Sequence, residues 1–185
     1  MKKILKTMFL ALVLIGGGMS VTSCDENTVS QILGLLLGNT PSTYSGTATL
    51  ECMQGTYNPM NYESVAKGSA TLQTSVTLNT LNATGTLTIQ GVKVGDVTLG
   101  DITLYNLAYT ANSDNTMCTL SLGESSSITG TFTYNGKSSE GSNAYIGKAE
   151  ANGSTLSLNM TLYFGDEMTE AVNIEYAGKL VQTAQ

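Results

Sequence analysis

The sequence contains no histidine, no arginine and no tryptophan, and only 2 prolines and 3 cysteines among its 185 residues. Without histidine the chain lacks the commonest general base, the Ser-His and Cys-His pairs of nucleophilic catalysis, and the imidazole ligand of many metal sites. We therefore expect a protein that is not an enzyme and that carries neither a metal nor a cofactor.

Positive charge is also scarce. Eight lysines face 14 acidic residues, so the formal net charge is −6. Proteins that bind nucleic acid need clustered cations to neutralise phosphates, so this balance excludes that class. The low charge does not predict disorder, because serine and threonine alternate with apolar residues along most of the chain. The length is that of one domain with a sizeable core.

The first residues have the pattern of an export signal. Three lysines within Met1–Lys6 precede an apolar stretch, Ile4–Ile15, which is broken only by Lys6 and Thr7. A membrane-spanning helix needs roughly 20 apolar residues, so this stretch is too short to be one. A basic start followed by a short apolar segment is typical of a secretory signal peptide.

The segment Val21-Thr22-Ser23-Cys24 resembles the lipobox of bacterial lipoproteins. The resemblance implies a signal peptide of residues 1–23, a diacylglyceryl group on the Cys24 thiol, and an acylated amine on the new N-terminus. Two or three acyl chains hold a protein on a bilayer. We expect a lipid-anchored protein of the outer membrane with a net charge of −9, since cleavage removes three lysines. Asp25-Glu26 resembles the acidic signal that sends lipoproteins of Bacteroidota to the cell surface.

Residues 24–43 are expected to be a tether with a short helix. Asn27 or Thr28 can cap the start of this helix, and Gly38-Asn39 can end it. Three helical turns are marginal alone, so the helix needs a surface to lie on. Two surfaces remain as alternatives: one end of the following domain, and the lipid headgroups.

Residues 44–180 alternate between apolar and polar side chains, which predicts antiparallel strands with one buried face. The pattern is clearest at Leu156–Phe164, where leucine, methionine and phenylalanine alternate with serine, asparagine, threonine and tyrosine. Turn signals separate the strands, and Asn135-Gly136 and Asn152-Gly153 are strong hairpin signals. Sequential hairpins favour an up-and-down barrel of about eight strands over a sandwich. The inside of such a barrel is either filled or holds one small ligand. Residues 181–185 form a tail.

Three parts of this region resemble the calycin-like (lipocalin-like) β-barrel lipoproteins of Bacteroidota: Tyr44–Leu50, the segment Val92–Ile102 with its Gly-Asp turns, and the closing strands at Leu156–Phe164 and Val172–Gly178. The resemblance implies a lipocalin-shaped barrel on a lipid anchor. The Gly-x-Trp signature of true lipocalins is absent, because Thr47-Ala48 follow Gly46. Transport of a lipocalin-type ligand is therefore not implied.

Two cysteines remain beside the lipidated Cys24. Alternation places Cys52 and Cys118 inside the barrel, on the first and about the fifth strand. A disulfide would need their Cα atoms within about 7 Å, whereas these strands lie on opposite walls. A disulfide and two buried free thiols remain as alternatives.

Aromatic residues supply the candidate binding surface. Tyr57 and Tyr62 bracket the loop Asn58–Asn61, and together with Tyr105 and Tyr109 they are expected to form an exposed surface for sugar stacking or protein contact. Packing against the barrel rim is the alternative. The acidic residues Asp166, Glu167 and Glu170 are expected in a hairpin turn, as a solvated turn rather than a calcium site.

Two functions remain in competition. One is a binding module for a small apolar or amphipathic ligand or a glycan. The other is a packed barrel that acts as a structural or protein-interaction lipoprotein. A hollow barrel should have small or polar inward residues in one zone, and Gly46, Ala48, Ala70 and Thr74 form such a zone in the sequence. A filled barrel should have bulk throughout, as at Leu156–Phe164.

Overall fold

The part of the chain that the structure describes is built from antiparallel strands. A computed structural model describes residues 41–79, 82–112, 117–152 and 154–181. Every regular secondary-structure element in these ranges is a β-strand, and all the strand pairings are antiparallel, which confirms the all-β prediction. The strands are β1 (Ser42–Thr56), β2 (Asn61–Asn79), β3 (Thr84–Ile89), β4 (Val92–Val94), β5 (Val97–Leu99), β6 (Ile102–Ala111), β7 (Met117–Ser121), β8 (Ser127–Thr129), β9 (Thr131–Tyr134), β10 (Lys137–Asn152), β11 (Thr155–Phe164) and β12 (Glu170–Leu180).

Eight of these strands form a closed ring of pairings. The order around the ring is β1, β2, β3, β6, β7, β10, β11 and β12, and β12 pairs with β1 again. The first and last strands of the ring are joined over eleven residue pairs, from Tyr44↔Leu180 to Gln54↔Glu170. The prediction of about eight antiparallel strands in sequential order is therefore confirmed for the ring.

The other four strands were not all predicted. A small second sheet joins β4, β5, β9 and the start of β10, while β8 pairs with β6. The alternating segment that begins at Ile128 is divided into β8 and β9 at Gly130, which has a φ of 142°. A Cβ atom on Gly130 would lie 2.9 Å from the Ile102 side chain, so only glycine allows this bend.

Two sequence predictions concern the N-terminal part of the chain. Cys24, the expected lipidation site, and the helix expected between Thr28 and Gly38 lie outside the described residues. Among the residues that are described, no helix is long and apolar enough to cross a membrane.

The inward faces of the ring strands form one hydrophobic cluster. Phe132 from β9 meets Phe164 from β11 with ring centroids 5.6 Å apart. Burying a leucine or phenylalanine side chain contributes about 1.5–3 kcal/mol, so these positions dominate the stability of the ring. The largest fully buried side chains are Tyr44, Phe132, Phe164, Leu50, Leu72, Leu78, Leu87, Ile102, Leu104, Leu107, Leu120 and Leu156.

Candidate functional site

The turn after β1 and the turn before β12 lie side by side at one end of the ring. The amide of Gly55 donates a hydrogen bond to the carbonyl oxygen of Thr169, at 2.9 Å. A cleft of about 380 Å³ lies between these turns, and we call it the rim cleft. Ligand sites for small molecules start at about 300 Å³, so the rim cleft is large enough for one small ligand unit. Its lining residues are Thr56, Tyr57, Asn58, Asp166, Glu167, Met168 and Thr169.

Three tyrosines meet beside the rim cleft, and we call them the tyrosine cluster. The rings of Tyr57 and Tyr163 are 5.3 Å apart and nearly perpendicular, at 83°. The rings of Tyr62 and Tyr163 are 6.3 Å apart and tilted by 42°. Edge-to-face contacts of this kind stabilise aromatic pairs by about 0.5–1.5 kcal/mol. Tyr163 therefore holds the Tyr57 ring, which is 42% exposed, in a defined position at the cleft wall.

Two members of the tyrosine cluster, Tyr62 and Tyr163, have pKa values raised above that of an ordinary tyrosine. Burial raises the pKa of Tyr62, and the neighbouring Tyr163, Tyr57 and Glu170 raise it further. Burial also raises the pKa of Tyr163, with a smaller contribution from Tyr57. The hydroxyl of Tyr62 donates a hydrogen bond of 2.5 Å to the carbonyl oxygen of Met168, which ties β2 to the turn before β12.

The acidic residues of the turn differ in their surroundings. Glu170 accepts hydrogen bonds from the Thr169 hydroxyl at 2.8 Å and from the Gln54 amide at 3.4 Å. Asp166 and Glu167 are exposed at the cleft. The ion pairs found among the described residues are Lys67–Glu51 and Lys148–Glu150, so neither cleft carboxylate is neutralised by a lysine there.

The structure separates the four tyrosines that the sequence analysis grouped together. Tyr57 and Tyr62 lie in the tyrosine cluster, whereas Tyr105 and Tyr109 lie on β6, three strands away in the ring from β1 and from β11. The prediction of a single surface formed by all four tyrosines is therefore wrong. Tyr105 and Tyr109 also differ in exposure, because β6 has a bulge at Asn106, which has a φ of 53°. It reverses the alternation, so Tyr105 is 41% exposed while Tyr109 packs against the core.

Tyr163 is a site residue that the sequence analysis missed. It lies on the outer face of β11, between the buried Leu162 and Phe164. The signal was present in the sequence, because an aromatic residue stands there on a face that otherwise carries serine, asparagine and threonine.

The structure contains Cys52 and Cys118 as free, buried thiols on β1 and β7, which are not neighbours in the ring. The disulfide alternative is thus not the arrangement seen. Burial raises the pKa of Cys52 to about 11. Burial also raises the pKa of Cys118, and a hydrogen bond with the backbone of Ala151 offsets part of this effect. Raised thiol pKa values indicate unreactive, structural cysteines.

The zone of small inward residues is occupied by tyrosine side chains. Tyr176 is paired in register with Ala48, and its hydroxyl oxygen lies 2.1 Å from the place where a Cβ on Gly178 would be. Tyr44, fully buried, donates a hydrogen bond from its hydroxyl to the carbonyl oxygen of Asn152, at 3.2 Å. Gly178 therefore makes room for the Tyr176 ring, and this part of the inside is filled.

Two buried hydroxyls in this zone lack hydrogen-bond partners of standard geometry, those of Thr74 and Tyr176. Burial raises the pKa of Tyr176, and the nearby Thr74 hydroxyl lowers it in part. Within the described ranges, no group of three or more acidic or cysteine side chains is placed to hold a metal ion.

No protein-family model, no curated protein and no solved structure matches the chain significantly.

Proposed function

We propose that the protein is a non-catalytic, lipid-anchored binding module of the outer membrane, and that it binds a small polar ligand, a glycan unit, at the rim cleft. In this proposal the ring of strands is a calycin-like barrel, and acylated Cys24 holds it on the membrane. The barrel positions the two turns, and the turns supply the contacts. The ligand lies outside the ring.

The observation that carries this proposal is the combination of a half-exposed aromatic ring with polar groups in one cleft. Tyr57 presents an apolar ring, while Asn58, Asp166 and Glu167 present amide and carboxylate groups. A sugar has apolar C–H faces and a rim of hydroxyls, and a cleft with one ring and several planar polar groups complements both. Tyr44 and Tyr176 occupy the zone of small inward residues, which argues against an apolar ligand in that zone.

A panel of neutral and charged oligosaccharides, measured by isothermal titration calorimetry, tests the proposed site. We expect Tyr57→Ala to weaken binding by up to about tenfold, because covering the exposed part of an aromatic side chain contributes about half of the roughly 1.5–3 kcal/mol for burying a whole one. Tyr105→Ala is the matched control, since Tyr105 is 41% exposed and lies on β6, away from the cleft. Equal losses in the two variants would contradict a site at the rim cleft.

The second candidate function is a packed barrel that contacts another protein. Met60 favours it, because this apolar side chain is 68% exposed in the turn that also carries Tyr57. Met60→Ser separates the two functions. It should leave sugar binding unchanged, whereas it should abolish capture of a partner protein if the turn is a protein contact.

The anchor has its own test. Cys24→Ser should release the protein from the membrane fraction and remove the mass of the acyl groups. Membrane retention and mass that do not change would contradict the lipid anchor.

A further inference from the structure

The charged side chains at the rim cleft are all negative. Asp166 and Glu167 line the cleft and are exposed, and the adjacent turn residue Glu170 has both of its carboxylate oxygens in hydrogen bonds. No lysine is among the lining residues. The whole chain has the same bias, with 14 acidic residues against 8 lysines, so the field around the cleft repels anions.

The aromatic wall of the cleft also favours a positively charged ligand. An aromatic face has negative partial charge, and it attracts an ammonium group within about 6 Å of the ring centre. Tyr57 is held edge to face against Tyr163, at 5.3 Å and 83°, so its position does not have to be fixed when a ligand binds. A preformed wall reduces the entropy cost of binding.

We infer that the ligand of the rim cleft carries a positive charge, as an amino sugar or another unit with a protonated amine does. This inference rests on the proposed function, because it specifies the ligand class of the same site. The amine lies between the Tyr57 ring and the carboxylates of Asp166 and Glu167. The hydroxyls of the sugar contact Asn58 and Thr56, which also line the cleft.

A metal ion is a poorer fit to the same carboxylates. Calcium takes 6–8 oxygen ligands, and both oxygens of Glu170 already accept hydrogen bonds from Gln54 and Thr169. An ammonium group needs fewer partners, since its three N–H donors are satisfied by two carboxylates and one further acceptor.

Two matched sugars test the inference on the full-length protein in detergent. The probes are the trimer of glucosamine and the trimer of N-acetylglucosamine, measured by calorimetry at about pH 6, where a sugar amine is protonated. They have the same ring framework and differ in charge. An ion pair at about 4 Å in water contributes about fivefold in affinity, so two carboxylates predict that the amine form binds at least about tenfold more tightly. The difference should shrink at about 1 M salt, where the Debye length is about 3 Å.

Variants of the cleft connect the effect to these residues. The double variant Asp166→Asn with Glu167→Gln should bring the two trimers to within about twofold of each other. Glu124→Gln, which neutralises an exposed carboxylate in the loop between β7 and β8, is the matched control and should leave the tenfold difference intact.

The outcomes separate the two proposals. Equal binding of both trimers, or tighter binding of the neutral one, overturns the charge inference and leaves the cleft as the site. Absence of binding by either trimer contradicts the proposed function itself. A preference for the amine that survives in the double variant also overturns the inference, because residues other than Asp166 and Glu167 would then recognise the charge.

Discussion

The junction between β1 and β12 closes the ring, and Gly46→Ala tests it most severely. Gly46 pairs with Gly178 across this junction. A Cβ atom on Gly46 would lie 2.0 Å from the carbonyl oxygen of Ala177 and 2.4 Å from the Cα of Gly178. Both atoms belong to the backbone of β12, so no side-chain rotation relieves the overlap. β1 and β12, the first and last strands of the ring, must therefore move apart at this junction.

The expected cost follows from that overlap. Overpacking a core by one or two methylene groups costs typically 1–3 kcal/mol, and here the displaced atoms are backbone. We therefore expect Gly46→Ala to lower the free energy of unfolding by about 3 kcal/mol or more. For a domain of 150–250 residues, that loss lowers the melting temperature by about 6–12 °C.

Urea unfolding followed by far-ultraviolet circular dichroism and tyrosine fluorescence measures the change, since the chain has no tryptophan. Gly123→Ala is the control, because the nearest atom to its added Cβ is 3.8 Å away, which is an ordinary contact. It should change the stability by less than about 0.5 kcal/mol. A Gly46→Ala variant as stable as this control would refute the close approach of β1 and β12.

Three further predictions concern titration, reactivity and a turn. The stability should fall above about pH 9, because burial raises the pKa of Cys52 from 9.0 to about 11 and that of Tyr44 from 10.0 to about 12. The unfolded chain then loses these protons at lower pH than the native state, so the contribution is complete below pH 9 and is lost as the pH rises towards 12. Tyr44→Phe should flatten the upper part of this dependence, as measured by urea unfolding at a series of pH values. Cys52 and Cys118 should react with a thiol reagent only after unfolding, and rapid labelling of the native protein would show that the ring opens. Ala83→Gly should raise the stability by about 0.5–1 kcal/mol, because Ala83 has a φ of 50°; a melting temperature below that of the wild type would contradict this strain.

The regular strands were predictable because each has one buried face. The strand expected at Leu156–Phe164 is observed as Thr155–Phe164, and the alternation of its buried residues is unbroken. The short β4 and β5 were missed, since three residues are too few to display a period. The pairing of β5 with β9, which attaches β4 and β5 to the second sheet, depends on contacts between distant parts of the chain.

The site was predictable only in part. Tyr57 and Tyr62 are close in sequence and bracket a turn, so a loop with two exposed rings could be inferred from the sequence. The contact with Tyr163 depends on the register of β1, β12 and β11, which the sequence does not display. The misplacement of Tyr109 has a local cause, the one-residue bulge at Asn106, which reversed the alternation on which its assignment depended.

Binding of the ligand at the rim cleft, outside the ring, is the central claim of the proposed function. A nuclear magnetic resonance titration of the labelled protein with the glucosamine trimer tests it directly. We expect shifts of the backbone amides of Tyr57, Asn58, Asp166 and Glu167, while the amides of Ala48 and Leu158, whose side chains are buried in the ring, stay unchanged. Shifts confined to inward positions such as Ala48 and Leu158 would contradict it and would place the ligand inside the ring.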